Sequence, residues 1–101
     1  MRLVVFFDIP VNDLENRRIA ARFRKFLVGD GYDMLQYSVY SRVCNGTSGF
    51  NKHYERLKRN LPAIGSVKLL SLSEEQYACI ETLVGEKDEE RSFENQRTMV
   101  F

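Results

Sequence analysis

An unbroken apolar run from Leu3 to Phe7 limits the fold of this chain more than any other feature. The run is rich in β-branched and aromatic residues that do not alternate with polar ones, which is typical of a central strand covered on both faces. It ends in Asp8-Ile9-Pro10, where the proline cannot donate to a strand ladder. The run is too short to cross a bilayer and too unlike a signal peptide to direct secretion, so we expect no membrane segment. With only two cysteines, far apart in the sequence, the reducing cytoplasm is the expected compartment.

A helix is predicted next. Asn12 can cap its first turn, Glu15 completes a capping-box pattern, and Gly29 and Gly31 supply its end. Its apolar residues share one helical face. They are Ile19, Ala20, Phe23, Phe26 and Leu27.

Later segments predict three more strands and a second helix. Residues 34–44 alternate as one strand and 67–72 form another. Residues 77–84 could be a strand or a short helix, and a strand from Ala78 is favoured because Ile80, Thr82 and Val84 lie at alternate positions. Residues 45–49 have the composition of a loop, and a helix is expected over 50–61.

The order of these elements predicts an α+β domain with two helices on one face of a small antiparallel sheet. The opposite face is expected to be bare, with Gln36, Ser38 and Tyr40 beside Val4 and Phe6 of the first strand. Covering such a face would most simply take a second copy of the chain. We place one domain at residues 1–85, followed at 86–101 by a charged linker and a short extended segment.

Composition supports a single folded domain and indicates an anionic partner. A hydrophobic content of 44% excludes a disordered chain. A length of 101 residues leaves no room for two domains. The net charge is only +1, yet residues 1–60 carry 11 Lys+Arg against 6 Asp+Glu. This asymmetry is consistent with an anionic partner for the first half of the chain, and equally with solvated helix faces that differ in sign.

Asp8 is the first candidate site residue. A carboxylate at the end of a buried strand lies where open α/β sheets bind ligands, and Mg²⁺ needs only one or two protein carboxylates. Two copies of Asp8 would meet if two chains paired through the bare sheet face. The alternative is that Asp8 ends the strand and accepts hydrogen bonds from the following turn.

A cluster of cations on the first helix is the second candidate site. The guanidinium group of arginine can bond two phosphate oxygens at once, so such a helix can follow a duplex backbone without reading bases. An ordinary solvated helix face is the alternative. The candidate nucleic-acid-binding residues are Arg17, Arg18, Arg22, Arg24 and Lys25.

Other reactive residues have structural interpretations. His53 is the sole histidine and is expected to be exposed on the second helix. Cys44 and Cys79 are expected to be buried small hydrophobes, since two distant cysteines make neither a disulfide framework nor a zinc site.

Three segments together resemble the CRISPR-associated protein 2 family: the strand ending in Asp8-Ile9, the arginine-rich first helix, and Gln36-Tyr37-Ser38-Val39-Tyr40. The resemblance extends through 67–72 and 83–85 to the terminal segment. The chain departs from the family at Phe7, where many members have a tyrosine, and so lacks a hydroxyl beside the expected metal.

The resemblance implies a ferredoxin-like fold and a homodimer in which the C-terminal strand, Arg97–Phe101, adds to the partner's sheet. It implies a role in CRISPR spacer acquisition, as a scaffold spanning duplex DNA with the integrase CRISPR-associated protein 1. It also implies an alternative, a Mg²⁺-dependent endonuclease that cuts RNA or DNA with Asp8 of both chains as metal ligand and catalytic residue. Without the resemblance, a small-molecule-sensing regulatory domain remains open, and such a domain would not need a basic helix.

Overall fold

The computed structural model describes residues 1–85, which form strands and helices in the order βαββαβα. The expected linker and C-terminal strand at 86–101 lie outside the described residues. The elements are β1 (Arg2–Asp8), α1 (Leu14–Gly29), β2 (Asp33–Gln36), β3 (Val39–Val43), α2 (Gly46–Arg59), β4 (Ser66–Leu72) and α3 (Glu74–Ala78).

The strands of residues 1–85 form one antiparallel sheet in the order β2-β3-β1-β4. β1 is central, and its Val5 lies opposite Tyr40 of β3 on one side and Leu69 of β4 on the other. This arrangement is the ferredoxin-like βαββαβ motif, so the predicted fold class is confirmed.

The core lies between the sheet and α1 and α2. Leu3, Val5 and Phe7 of β1 are buried, and the Phe7 ring meets Phe23 of α1 edge to face with centroids 4.9 Å apart. Each fully buried side chain of this size contributes about 1.5–3 kcal/mol to folding. The predictions of a central first strand and of the apolar face of α1 are therefore confirmed, but β1 is not fully covered on both faces, because Phe6 is exposed.

The single strand predicted over residues 34–44 is wrong, because the chain turns back between β2 and β3. Ser38 adopts the left-handed conformation, with φ of 67°, and the pairing shifts register between Met34 and Gln36. The turn changes which side chains share a face. Tyr40 consequently lies in the core, stacked on Phe7 at 5.8 Å, instead of on the outer face with Gln36.

Three further element boundaries differ from the predictions. α1 is capped by Asp13, whose carboxylate accepts from the Asn16 amide at 2.8 Å, and not by Asn12. α2 begins at Gly46, so the expected loop at 45–49 is mostly helical. The strand expected from Ala78 is absent from the described residues: Ser73 and Gln76 form a capping box that starts the short helix α3, which ends at Ala78, and residues 79–85 belong to no strand.

The outer sheet face is partly covered by α3 and not bare as predicted. The Tyr77 hydroxyl lies 3.2 Å from Ser41 Oγ, and the Arg2 guanidinium packs over the Tyr77 ring at 4.1 Å. Val4 is buried beneath this cover. Apolar side chains that remain exposed on the same face are Phe6, Val43 and Leu70.

Candidate metal site and nucleic-acid interface

Asp8 is the last residue of β1 and pairs with Ser66, the first residue of β4. Its side chain is exposed, and within residues 1–85 its carboxylate makes no hydrogen bond or ion pair. The alternative, in which the Asp8 carboxylate accepts hydrogen bonds from the following turn, is therefore wrong. The carboxylate is available to a ligand.

Gly65 holds the chain close to Asp8. Its φ of 85° lies in the left-handed region, and a Cβ there would collide with the Asp8 carbonyl oxygen and lie 3.0 Å from the Ile9 Cα. Only glycine allows β4 to start this close to the end of β1. The position of the Asp8 backbone therefore depends on Gly65.

Asp8 fits a divalent cation only as part of a larger ligand set. The described residues contain no group of three or more His, Cys, Asp or Glu side chains that could hold a metal. Mg²⁺ commonly takes one or two carboxylates, with water and phosphate oxygens filling its octahedron. The exposed carboxylate of Asp8 fits a Mg²⁺ ion only where water, phosphate oxygens or a further carboxylate supply the remaining ligands.

The cations of α1 lie on two flanks of the helix. Arg18, Arg22 and Lys25 follow at four- and three-residue steps, whereas Arg17 and Arg24 are seven residues apart on the other flank. Arg17, Arg18, Arg22 and Lys25 make no ion pair within residues 1–85. All four are exposed, so their charges face solvent or a partner.

A cleft of about 400 Å³ joins one flank of α1 to the end of α2. Arg22 and Arg59 both line this cleft, with Glu15 as the acidic residue among its lining side chains. Cations from two helices that are distant in sequence therefore face one concave surface. This arrangement extends the basic surface of α1.

Arg24 differs from the other α1 cations because its side chain is held by the β2–β3 turn. Its Nη2 donates to Ser38 Oγ at 3.1 Å, and its guanidinium lies 4.4 Å from the Tyr37 ring centroid and 5.4 Å from that of Phe7. The Phe7 amide donates to the Ser38 carbonyl at 3.1 Å. Arg24 thus joins α1 to the turn next to Asp8.

His53 is buried, so the prediction of an exposed helix position is wrong. Its side chain is 5% exposed, and Nδ1 lies 3.0 Å from Asp30 Oδ2. Arg56 Nη1 donates to Asp30 Oδ1 at 2.8 Å. The spacing of His53 with Leu57 on the apolar face of α2 was the signal that sequence reasoning missed.

The Asp30 carboxylate titrates below its ordinary range. Burial by itself raises its pKa, but the hydrogen bonds and charges of His53 and Arg56 outweigh burial and leave the pKa lowered. Asp30 is also the C-cap residue of α1, so the ion-pair cluster ties that helix end to α2. The cluster holds the basic helix in place and lies apart from Asp8.

The two cysteines differ. Cys44 is buried as predicted, and burial raises the pKa of its thiol, which makes it a poor nucleophile. Cys79 is exposed, against the prediction, because it caps the short helix α3, which has no buried residue.

Tyr32 is a buried residue whose phenol ionises only at high pH. Burial, together with the nearby Asp30 carboxylate, raises the pKa of Tyr32 to about 12.

No helix among residues 1–85 is long and apolar enough to span a membrane.

Comparisons with known proteins agree on one family. The family model described as CRISPR associated protein Cas2 matches residues 1–80. A protein of Acidovorax ebreus named CRISPR-associated endoribonuclease Cas2 is 52% identical over 85 residues, covering 84% of this chain and 83% of that protein. The protein of the same name from Ligilactobacillus salivarius is 39% identical over 101 residues, the whole of both chains.

A crystal structure of Streptococcus pyogenes Cas2 matches with a TM-score of 0.65. The match covers 83% of this chain and all of that one at 21% sequence identity. At that identity the comparison supports the fold.

Proposed function

This chain belongs to the CRISPR associated protein Cas2 family, and we propose that it is a spacer-acquisition subunit that binds the backbone of duplex DNA. The observation that carries this proposal is the exposure of Arg17, Arg18, Arg22 and Lys25 without ion pairs in residues 1–85. Unpaired guanidinium groups have not already been neutralised, so phosphates can bind them without breaking an existing salt bridge. Binding of this kind reads no bases.

The proposed scaffold is a homodimer. Phe6, Val43 and Leu70 remain exposed on the outer sheet face, and their burial against a second copy would remove apolar surface from water. A two-fold dimer would present two copies of α1, which lengthens the duplex that one particle can contact. The family resemblance suggests the integrase CRISPR-associated protein 1 as the protein partner.

A second candidate function is a Mg²⁺-dependent endonuclease. The names of the relatives favour it, as does the exposed Asp8 carboxylate at the end of β1. Asp8 of both chains would hold the ion, and the bound Mg²⁺ would supply Lewis-acid polarisation of a phosphodiester. The α1 cations would orient the nucleic acid strand against that end of the sheet.

A spacer-acquisition assay in cells separates the two functions. Asp8→Asn keeps the size of the side chain and removes its charge, so a scaffold acquires spacers at the parental frequency with this variant. The paired substitution Arg17→Ala/Arg18→Ala removes two phosphate ligands and should abolish acquisition. Loss of acquisition with Asp8→Asn at normal protein levels would instead favour the nuclease.

A further inference from the structure

Tyr37 is a strongly exposed aromatic residue with a fixed position. The residue is 73% exposed, although the Arg24 guanidinium lies 4.4 Å from its ring centroid. Arg24 lies against one face of the ring, and a residue this exposed leaves the other face open to solvent. Tyr37 therefore presents an aromatic surface to solvent.

The contacts beneath Tyr37 hold the ring in place. Arg24 is half-buried and donates to Ser38 Oγ at 3.1 Å, which fixes the guanidinium against the turn. A cation that is partly removed from water attracts an aromatic face more strongly than an exposed one. The turn is also tied to β1 by the bond from the Phe7 amide to the Ser38 carbonyl. The ring is thus preorganised, and little entropy is lost when a ligand stacks on it.

The location of Tyr37 relates it to the proposed site. Ser38, its neighbour in sequence, bonds to Phe7, and Phe7 is followed directly by Asp8. Arg17 lies on the same flank of α1 as Arg24, about 10 Å nearer the start of the helix by the rise of an α-helix. The β2–β3 turn with Tyr37, the first turns of α1 with Arg17 and the end of β1 with Asp8 therefore lie toward the same end of the sheet.

We propose that Tyr37 stacks on an unpaired nucleobase and so positions a single-stranded nucleotide at the Asp8 end of the sheet. Every base has an aromatic face, so stacking of this kind tolerates any sequence. Arg17 would bind a phosphate of the same strand. This inference rests on the proposed nucleic-acid function and adds to it a residue that distinguishes unpaired from paired bases, because bases within a duplex have no free face.

The experiment uses the full chain and two probes: a single-stranded oligonucleotide with one 2-aminopurine, in DNA and RNA forms, and a blunt DNA duplex. Tyr37→Ala should weaken single-strand binding about 5- to 150-fold and abolish the quenching of 2-aminopurine that stacking produces. Tyr37→Phe keeps the aromatic face and should bind within about twofold of the parent. The DNA and RNA arms identify which strand the ring accepts.

Two further variants separate stacking from a structural role. Tyr37→Leu still covers Arg24 but has no aromatic face, so it should bind single strands as poorly as Tyr37→Ala. Met34→Ala removes another exposed side chain from the same hairpin and should bind like the parent. Parental single-strand affinity in Tyr37→Leu would mean that Tyr37 only covers Arg24, and would overturn the inference.

The blunt duplex distinguishes failure of this inference from failure of the proposed function. If the parent binds the duplex but Tyr37→Ala leaves single-strand binding and quenching unchanged, the stacking role is wrong and the scaffold function stands. If the parent quenches 2-aminopurine through Tyr37 but does not bind the duplex, the stacking role stands and the scaffold function is wrong. A parent that binds no single strand overturns the inference directly.

Discussion

Asp30 and His53 join the C-terminal end of α1 to the middle of α2, with Asp30 Oδ2 3.0 Å from His53 Nδ1. Both side chains are more than nine-tenths buried, and Arg56 completes the cluster from the solvent side. Because the exposed arginines of α1 depend on the packing of that helix, this cluster supports the proposed interface from a distance.

We expect Asp30→Asn to reduce the free energy of unfolding at pH 7 by about 2 kcal/mol, since it removes hydrogen bonds to a charged group. The folded-state pKa of Asp30 is lowered, so its stabilising effect is complete above the ordinary value of 3.8 and is lost as the pH falls through the lowered value. The difference between parent and variant should therefore shrink below about pH 4. Urea unfolding across pH 3–7 measures this difference in the free energy of unfolding. Asp33→Asn, which changes an exposed carboxylate, is the control. A difference that stays constant with pH would contradict the prediction.

Binding of duplex DNA should depend steeply on salt. Arg17→Ala/Arg18→Ala should weaken binding equally for all sequences and reduce the slope of log K against log salt by about two, roughly one for each lost phosphate contact. The charge-preserving pair Arg17→Lys/Arg18→Lys should keep most of the parental slope. Fluorescence anisotropy at several salt concentrations decides this, and an unchanged slope in the alanine pair would mean that these residues face plain solvent.

Any divalent-metal nuclease activity should be abolished by Asp8→Asn without loss of the fold. Asparagine keeps the shape of the side chain but lacks the negative charge that favours Mg²⁺. Cleavage of labelled RNA and DNA by highly purified protein is the measurement, and Asp33→Asn is the control for loss of one exposed carboxylate. Equal cleavage by the parent and Asp8→Asn would assign the activity to another site or to a contaminant.

Gly65→Ala should destabilise the protein by about 1–3 kcal/mol, because alanine disfavours the left-handed backbone and its Cβ would collide with the Asp8 carbonyl. Gly29→Ala is the matched control, since no atom lies within 4 Å of a Cβ placed there. Thermal unfolding of the two variants should separate them by several degrees. Equal stability would show that the end of β1 can move to accept the methyl group.

Removal of residues 96–101 should weaken the proposed dimer. These residues lie outside the described part of the chain, and the prediction comes from the apolar Val100 and Phe101 at the terminus. Burial of each against a partner would contribute about 1.5–3 kcal/mol, so the dissociation constant should rise at least tenfold. Sedimentation over a dilution series measures this. Val100→Ser/Phe101→Ser separates side-chain burial from backbone pairing, and an unchanged constant in the truncated chain would contradict a clamping role.

Much of the fold follows from local patterns in the sequence. The apolar run of β1 predicted a central strand, the apolar face of α1 predicted a helix packed on the core, and residues 67–72 were predicted to form a strand. Each of these predictions was confirmed. The prominence of Asp8 also came from the sequence, because a carboxylate that closes a buried strand lies where the strand leaves the core. Periodicity suffices for such features since burial of one face repeats with the geometry of the element.

Tertiary structure decided the features that depend on two segments meeting. The sequence of residues 34–44 alternates through the turn at Ser38, and only pairing with β1 placed Tyr40 in the core. His53 is polar by type, yet burial is tolerable because Asp30, distant in the sequence, supplies its partner. Arg24 resembled its neighbours on α1 until the β2–β3 turn placed Tyr37 against it. Hydrogen bonds and ring contacts between distant residues leave no periodic trace in the sequence, and only the folded chain brings those atoms together.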